Sequence, residues 1–449
     1  MPQFTVITGL LVITGGTLLL ASPLCSTDAV GLWEALFTVT SAITVTGLSI
    51  IPIGTDLTLA GQVVLALLIL SGGLGLMAIT TFLQGFVQGR SGLHHRLDKG
   101  RTLDEFGVGG IGPTFHQILL IAAVVIGTGT VILYSFGFTD LPAGGPRLWA
   151  SLFHAISAYN NAGFGLWADN LVAYRDNLVV NGVIGTLIVV GGIGWRVAND
   201  LWHHRRRLGR LNQLSLHTRL VMRTTVLLIL LGTAGLLLTE HLASDGLGHH
   251  LAWWQKLQVA LFQSISSRTA GFNTMPLSAT TISDGGLLLL ITWMFIGASP
   301  GGTGGGIKTT TLATLLAATR STLNDQEEVV VRHRAIPERV VRRAVAVTVA
   351  SLLFVLAMAL LLGLGTGTGA STTDQGTPIS FLETLFTCVS AFGTVGLDLG
   401  VTSQLTRWGQ LVLMVGMFVG RVGILLLLSA LYGSRPQNRV GFPREEIYL

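Results

Sequence analysis

Four copies of one short phrase carry the residues that could do chemistry in this chain. Each copy begins with Leu-Phe, has a Ser four residues after the Phe, and closes on a Gly ten residues after it, or nine in the third copy. The closing glycines are Gly47, Gly163, Gly271 and Gly396. Because internal repeats mark repeated structural units, the copies predict four equivalent segments around one axis. A cation is the natural occupant of that axis.

The residues before each closing glycine are the candidate ion ligands, through their backbone carbonyls. The segments are Thr44-Val45-Thr46-Gly47, Asn160-Asn161-Ala162-Gly163, Arg268-Thr269-Ala270-Gly271 and Gly393-Thr394-Val395-Gly396. Two of them resemble the Thr-Val-Gly filter of tetrameric potassium channels, whose carbonyls replace an ion's hydration shell. Glycine leaves room between converging strands and permits φ > 0, so we expect K⁺ at the carbonyls of the four glycines. One such Gly could be a simple helix C-cap, whereas four at matched spacing favour a filter.

Membrane helices are the elements that must position these segments. Only 11% of the 449 residues are charged, against about 25% in soluble domains, and the bilayer favours helices for apolar runs of about 20 residues. We predict an all-α integral membrane protein with eight transmembrane helices and four re-entrant pore helices, arranged as four membrane–pore–membrane repeats in pseudo-fourfold symmetry. The long helices are predicted near 4–24, 57–83, 113–136, 178–202, 220–240, 282–318, 344–364 and 406–432. The pore helices are predicted near 31–43, 147–159, 253–267 and 379–392.

Charge predicts the orientation of the repeats. The repeats are predicted at 1–84, 112–203, 217–319 and 343–433, followed by a C-terminal tail, 434–449. The linkers between them and the tail hold most of the 27 Lys and Arg residues. The positive-inside rule therefore predicts a multi-pass protein of the cytoplasmic membrane with both termini in the cytoplasm. The cluster Arg205-Arg206-Arg207 fits this topology signal, or contact with anionic lipid, better than nucleic-acid binding.

The third repeat contains a Gly-rich insertion. A shared Gly-rich register begins at Gly72, Gly191, Gly305 and Gly420, and in the third repeat it lies six to ten residues further from the filter glycine. Because Gly and Pro at this density interrupt a helix, we predict an intramembrane gate loop at 297–306. Close helix packing by small residues is the alternative, and the spacing does not match a phosphate-binding loop. The candidate gate residues are Gly297, Ser299, Pro300, Gly301, Gly302, Thr303, Gly304, Gly305, Gly306, Lys308 and Arg421.

Four charged residues stand out inside or next to the predicted spans. Arg421 is expected below the filter, where it either repels ions or holds the gate loop through its carbonyls, with snorkelling to the interface as the alternative. Arg268 adjoins the filter and could brace it against an outer acid. Arg196 and Asp398 have no assigned role.

The quoted segments, extended to Thr-Val-Thr-Gly-Leu, Asn-Asn-Ala-Gly-Phe, Arg-Thr-Ala-Gly-Phe-Asn-Thr and Gly-Thr-Val-Gly-Leu, resemble the superfamily of K⁺ transporters comprising KtrB, TrkH and plant HKT proteins. The likeness covers nearly the whole chain and is greatest to KtrB. It implies channel-like K⁺ uptake, a mobile gate loop, and a homodimer with one pore in each chain. It also implies a separate cytoplasmic nucleotide-binding ring of the KtrA type. Such systems are often stimulated by Na⁺, and no covalently bound cofactor is expected.

Other classes of function are less well supported by the residues. A TrkH-like or HKT-like K⁺/Na⁺ transporter stays open. A coupled secondary transporter would call for acids or polar ligands within the spans, which carry almost none. A membrane enzyme would need grouped catalytic side chains, and His154, the only His in a pore segment, has no evident partner. We therefore predict that the chain is not an enzyme. Cys25 and Cys388 are predicted to be free buried thiols.

Overall fold

The structure of this protein is a computed structural model that describes residues 2–27, 30–75, 111–204, 214–242, 251–278, 281–326, 328–331, 334–364, 371–372 and 378–424. Nearly all of the regular structure in these ranges is helical. The helices are α1 Pro2–Leu20, α2 Leu32–Thr44, α3 Ile53–Asp56, α4 Leu59–Leu70, α5 Ile111–Ile132, α6 Gly145–Asn160, α7 Leu178–Ile193, α8 Trp195–His203, α9 Leu216–Leu242, α10 Trp253–Ser266, α11 Asp284–Phe295, α12 Thr309–Leu323, α13 Glu338–Leu364, α14 Phe381–Gly393 and α15 Arg407–Val422.

Short irregular elements complete the described ranges. Two antiparallel pairs of two-residue strands are present, β1 Val330–Val331 with β2 Arg334–Ala335, and β3 Ser371–Thr372 with β4 Pro378–Ile379. Two π-helical turns, Ser71–Gly75 and Leu133–Gly137, extend α4 and α5. Two 3₁₀ turns, Val172–Tyr174 and Thr402–Gln404, precede α7 and α15.

Three described helices are long and apolar enough to cross a membrane by themselves, namely His116–Gly137, Leu216–Leu242 and Glu338–Leu364. Helices α7 and α8 form a fourth candidate, bent by 95°. Shorter apolar helical stretches of 10–17 residues are Gly9–Leu20, Leu59–Gly75, Asp284–Phe295 and Phe381–Gly393. The number of eight spans therefore stays a prediction.

The predicted continuous helix 178–202 is wrong. It divides at Gly194, which has φ +87°, and the Trp195 N–H donates to the carbonyl of Gly301 at 3.2 Å instead of continuing the helical ladder. The predicted segment 282–318, for which the sequence also predicts a loop at 297–306, consists of α11 and α12 with a non-helical segment between them. A positive φ suits glycine and ends a right-handed helix.

Capping side chains begin the second helix of every repeat. The hydroxyl or amide oxygen of the residue before the helix accepts a backbone N–H of the first turn, which satisfies donors that have no partner in the helix. These N-cap residues are Thr58, Asn177, Ser283 and Thr406.

Helix packing closes into a ring. Within each repeat the first long helix packs on the short helix of the phrase, as α1 on α2, α5 on α6, α9 on α10 and α13 on α14. Between repeats, the second helix packs on the short helix of the next repeat, as α4 on α6, α7 on α10, α11 on α14 and α15 on α2. The last contact joins the fourth repeat to the first, so the four phrases face a common centre.

The aromatic residue of each phrase anchors this ring. Phe37, Phe153, Phe262 and Phe386 are all buried. Phe37 lies in the core cluster that is otherwise built mainly from α9–α15, and Phe262 lies in the cluster built mainly from α1–α7. Because a buried Phe contributes roughly 1.5–3 kcal/mol, Phe37 and Phe262 tie the short helices α2 and α10 to the opposite half of the molecule.

Candidate ion pathway

Each phrase turns out of its short helix through one left-handed residue, two positions before the closing glycine. These residues are Val45, Asn161, Thr269 and Thr394, with φ of 56°, 58°, 75° and 50°. A left-handed residue at a helix C-terminus redirects the chain and exposes the last carbonyls. The third copy, which is one residue shorter, reaches the same conformation because its helix ends at Ser266 and a turn follows.

The serine of each phrase lies behind this turn. The Oγ atoms of Ser41 and Ser390 accept the N–H of the closing glycine of their own repeat at 3.0 and 3.2 Å. Ser266 Oγ donates instead to the carbonyl of Phe272. Ser157 Oγ has no hydrogen-bond partner among the described residues. In two repeats the serine therefore fixes the orientation of the peptide that contains the glycine.

The four closing glycines contact one another around a closed ring. A Cβ built on Gly163 would lie 2.8 Å from the carbonyl oxygen of Ala270 and 3.0 Å from the Cα of Gly271. The other three glycines meet the next repeat in the same way: Gly47 meets Ala162 and Gly163, Gly271 meets Val395 and Gly396, and Gly396 meets Thr46 and Gly47. Since carbon and oxygen atoms do not approach so closely without strain, no larger residue fits here.

The carbonyl oxygen of the residue before each closing glycine takes part in this ring of contacts. Those of Thr46, Ala162, Ala270 and Val395 each lie beside the glycine of the adjacent repeat, and all four residues are fully buried. The first residues of the predicted segments, Thr44, Asn160, Arg268 and Gly393, lie at the helix ends behind the ring. A ring of peptide oxygens is the chemistry that binds a dehydrated cation.

Two side chains lie next to the glycine ring that the sequence did not predict there. Asn170 Nδ2 donates to the carbonyl of Gly163 at 3.3 Å, so one of the four expected K⁺ ligands already accepts a hydrogen bond. Asp398 accepts from the N–H and Oγ1 of Thr402 at 3.3 and 2.9 Å, which gives this acid a role in bracing the segment after Gly396. Only loop geometry brings these residues to the ring.

His154 contacts backbone groups and an aromatic ring, and none of these described partners is a catalytic side chain. Its Nδ1 lies 2.8 Å from the carbonyl of Ala150, and its Nε2 accepts the N–H of Leu166 at 3.4 Å. The ring stacks on Trp167 with centroids 4.4 Å apart. A donor and an acceptor on the two nitrogens fit the neutral imidazole, so His154 ties the segment after Gly163 to α6.

The predicted gate loop crosses the same central region. The chain is non-helical from Ile296 to Lys308, and its Ser299 and Thr303 N–H groups donate to the carbonyls of Gly192 and Gly191 at 3.0 and 3.2 Å. The loop therefore fastens to the end of α7 in the second repeat. The remaining predicted gate residues in this segment are Gly297, Pro300, Gly301, Gly302, Gly304, Gly305 and Gly306.

The middle of the loop lies directly against the filter segments. A Cβ on Gly304 would overlap the side chain of Thr269, and one on Gly305 would overlap that of Thr394. The glycines of the loop are thus required by close approach to two of the left-handed residues. The middle of the loop therefore packs against the third and fourth filter segments.

In the other repeats the Gly-rich register packs against the short helices. A Cβ on Gly72, Gly191 or Gly420 would overlap the carbonyl oxygen of the residue two positions before the left-handed residue of a phrase. These residues are Ile43, Tyr159 and Phe392. The alternative reading of the register, close packing by small residues, therefore describes repeats one, two and four.

Two cations hold the loop by its carbonyl oxygens. Arg421 donates to the carbonyl of Thr303 and to that of Gly72, the latter at 2.6 Å, so it joins the loop to the first repeat. Lys308 Nζ donates to the carbonyls of Gly304 and Gly305 at 2.7 and 3.3 Å. The arrangement matches the expectation that Arg421 contacts loop carbonyls rather than snorkelling.

Among the described residues, Arg268 does not brace the filter against an outer acid, the role that the sequence suggested. Its side chain lines a small cavity with Asn161, Gly192, Thr225 and Ala298, on the side of the gate loop. No ion pair involves it within the described ranges. The residues of the basic cluster 205–207 and of the tail 434–449 lie outside the described residues.

Comparison with known proteins agrees with this architecture. The sequence profile of the TrkH family, described as cation transport protein, matches residues 3–439. The chain is 34% identical to the Ktr system potassium uptake protein B of Bacillus subtilis, over 100% of this chain and 96% of the relative. It is 33% identical to the protein of the same name from Vibrio alginolyticus, over 99% and 94%. The crystal structure of the potassium transporter TrkH from Vibrio parahaemolyticus superimposes with a TM-score of 0.73, at 21% identity, covering 96% of this chain and 84% of the other.

The sequence profile and the two relatives define the class as cation transport proteins. The chain belongs to the TrkH family of cation transport proteins. The resemblance read from the four phrases is confirmed by this membership, as is the prediction that the chain is not an enzyme. The helical class of the fold is also confirmed.

Proposed function

We propose that this chain is the channel-like subunit of a K⁺-uptake system in the cytoplasmic membrane, with both termini in the cytoplasm. The closed ring of contacts among Gly47, Gly163, Gly271 and Gly396 is the observation that carries the proposal. Four repeats in pseudo-fourfold order bring four peptide segments to one axis, and their carbonyl oxygens replace the water around K⁺. Both bacterial relatives are named as potassium uptake proteins, which supports the choice of ion.

The gate of this pathway is the loop 297–306. It is held closed across the ring by Arg421 and Lys308, whose donors reach carbonyls of the loop. Opening requires those hydrogen bonds to break or to exchange, and a separate cytoplasmic nucleotide-binding ring of the KtrA type would supply the energy. The names of the relatives, which specify a system, support a second component. We further propose a homodimer, with Na⁺ as an activator.

Complementation tests the filter. A bacterium that lacks its own K⁺ uptake is grown at low K⁺ with this chain, with and without a ring subunit. Growth rescue is expected for the wild type and for Gly182→Ala, a helical glycine with open space around its Cβ position. Gly271→Ala is expected to abolish rescue or to admit Na⁺, because its Cβ would overlap the carbonyl of Val395.

Expression of both variants is measured in the same membranes. If Gly271→Ala is inserted at the wild-type level and rescues growth with unchanged K⁺ dependence, the ring is not the ion pathway. Failure of the wild type with every ring subunit tested contradicts K⁺ uptake itself.

A further inference from the structure

Arg268 breaks the equivalence of the four filter segments. It occupies the first position of the third segment, where the other three carry Thr44, Asn160 and Gly393. Thr44 and Asn160 turn their polar atoms back onto carbonyls of their own short helices, at 2.7 and 2.8 Å. Only the third segment, among the four, adds a formal charge next to the ring.

Burial and an unpartnered Nε distinguish the side chain of Arg268. The side chain is 8% exposed, and its Nε has no hydrogen-bond partner among the described residues. Thr225 Oγ1, which belongs to a residue lining the same cavity, is also unpartnered. The cavity of about 10 Å³ matches a single water, so it has no room for a lipid headgroup or another bulky anion.

Arg268 has no acidic partner within ion-pair distance among the described residues. Within the described ranges, no ion pair joins an acid to Arg268, Lys308 or Arg421. Lys308 and Arg421 are compensated by carbonyls of the gate loop and of Gly72, whereas Arg268 faces Ala298, at the start of that loop, across the cavity. Its charge therefore acts on whatever occupies the pathway nearby.

We infer that Arg268 sets the cation affinity of the pathway: its fixed charge, behind the third filter segment, disfavours cations in the ring. The inference rests on the proposed function. A positive charge opposes the attraction that the carbonyl ring and the C-terminal ends of the short helices exert on a cation. Weaker binding lets the ion leave, which conduction requires. Arg268 thus limits how tightly K⁺ is held and leaves the choice between K⁺ and Na⁺ to the carbonyls.

The size of the effect follows from Coulomb's law. For unit charges roughly 10 Å apart in a medium of effective dielectric constant about 20, neutralising Arg268 should tighten K⁺ binding roughly tenfold or somewhat more. The charge acts similarly on all monovalent cations, so the K⁺/Na⁺ preference should change little. Because Arg268 makes no side-chain hydrogen bond in the described structure, Lys at this position should keep the wild-type affinity.

The test compares Arg268→Gln, Arg268→Thr and Arg268→Lys with wild type. The Arg268→Thr variant places the residue of the first repeat at this position. It provides a second neutral side chain in case the Arg268→Gln protein does not fold. Arg196→Gln is the control, because Arg196 is another partly buried arginine with an unpartnered nitrogen, in α8. The KM for K⁺ is measured in proteoliposomes, and the Kd for K⁺ by calorimetry on the purified full chain.

A tenfold lower KM and Kd in a neutral variant, with Lys and the control at wild-type values, supports the inference. Unchanged K⁺ affinity in a folded neutral variant overturns it, as does a Lys variant that behaves like the neutral ones. A wild-type chain that neither binds nor transports K⁺ contradicts the proposed function instead, so the two failures are distinguishable.

Discussion

Removing the guanidinium of Arg421 should open the pathway. Arg421→Met keeps an unbranched apolar side chain in α15 but deletes the donors to Thr303 and Gly72. Hydrogen bonds to a charged group contribute about 1.5–3 kcal/mol each, and one of the two reaches the loop, so its loss should destabilise the closed loop by about 1.5–3 kcal/mol. That free energy corresponds to roughly a tenfold to hundredfold increase in the ratio of open to closed loop.

Flux of K⁺ into proteoliposomes without a ring subunit measures this change. Arg407→Met, at the exposed first turn of the same helix, is the matched control and should leave the flux unchanged. Arg421→Lys separates the two roles considered for Arg421. Lysine keeps the charge but loses the planar fork, so it should be partly leaky if Arg421 holds the loop and should resemble the wild type if Arg421 only repels ions. Unchanged flux in well-folded Arg421→Met would refute the reasoning.

The remaining predictions concern the supports of the ring. Ser390→Ala should lower thermal stability by about 1–2 kcal/mol and weaken K⁺ selectivity, since Ser390 Oγ joins two peptides of its segment; Ser157→Ala, whose Oγ is unpartnered, should do neither in the same melting assay. Asn170→Ala should free the filter carbonyl that it bonds and change the Na⁺/K⁺ flux ratio, and an identical ratio would exclude that role. Burial, together with the hydrogen bond to Asp140, raises the pKa of Tyr174 above its ordinary value of 10.0. The neutral form of Tyr174 therefore contributes stability that is lost as pH rises above about 10. Tyr174→Phe should reduce this loss of stability in a series of melting temperatures measured at increasing pH.

The repeated phrase predicts the site better than the helix pattern predicts the helices. Spacing alone singles out the four closing glycines, because a crowded backbone leaves no room for a Cβ and therefore requires glycine. Hydropathy does not distinguish a continuous helix from one divided at Gly194. The break depends on the carbonyl of Gly301, which is more than a hundred residues away in sequence.

For the charged residues, too, the sequence predicts the residue but not its contacts. The sequence indicates that Arg421 and Arg268 are unusual, because buried charges are costly. The sequence does not predict which way these two side chains point. Arg421 reaches the loop through contacts 118 and 349 residues apart in sequence, and Arg268 turns toward the gate loop rather than toward an outer acid.

By itself, the sequence determined the helical class of the chain, its family, and the four glycine-closed segments, because composition, repeat spacing and the steric demand for glycine are local properties. Tertiary structure alone decided which atoms meet. Packing between repeats decides which glycine each closing glycine contacts. It also decides that the loop lies against Thr269 and Thr394, and which groups the buried cations bind. Such contacts follow from the closure of the ring in three dimensions, which no local pattern encodes.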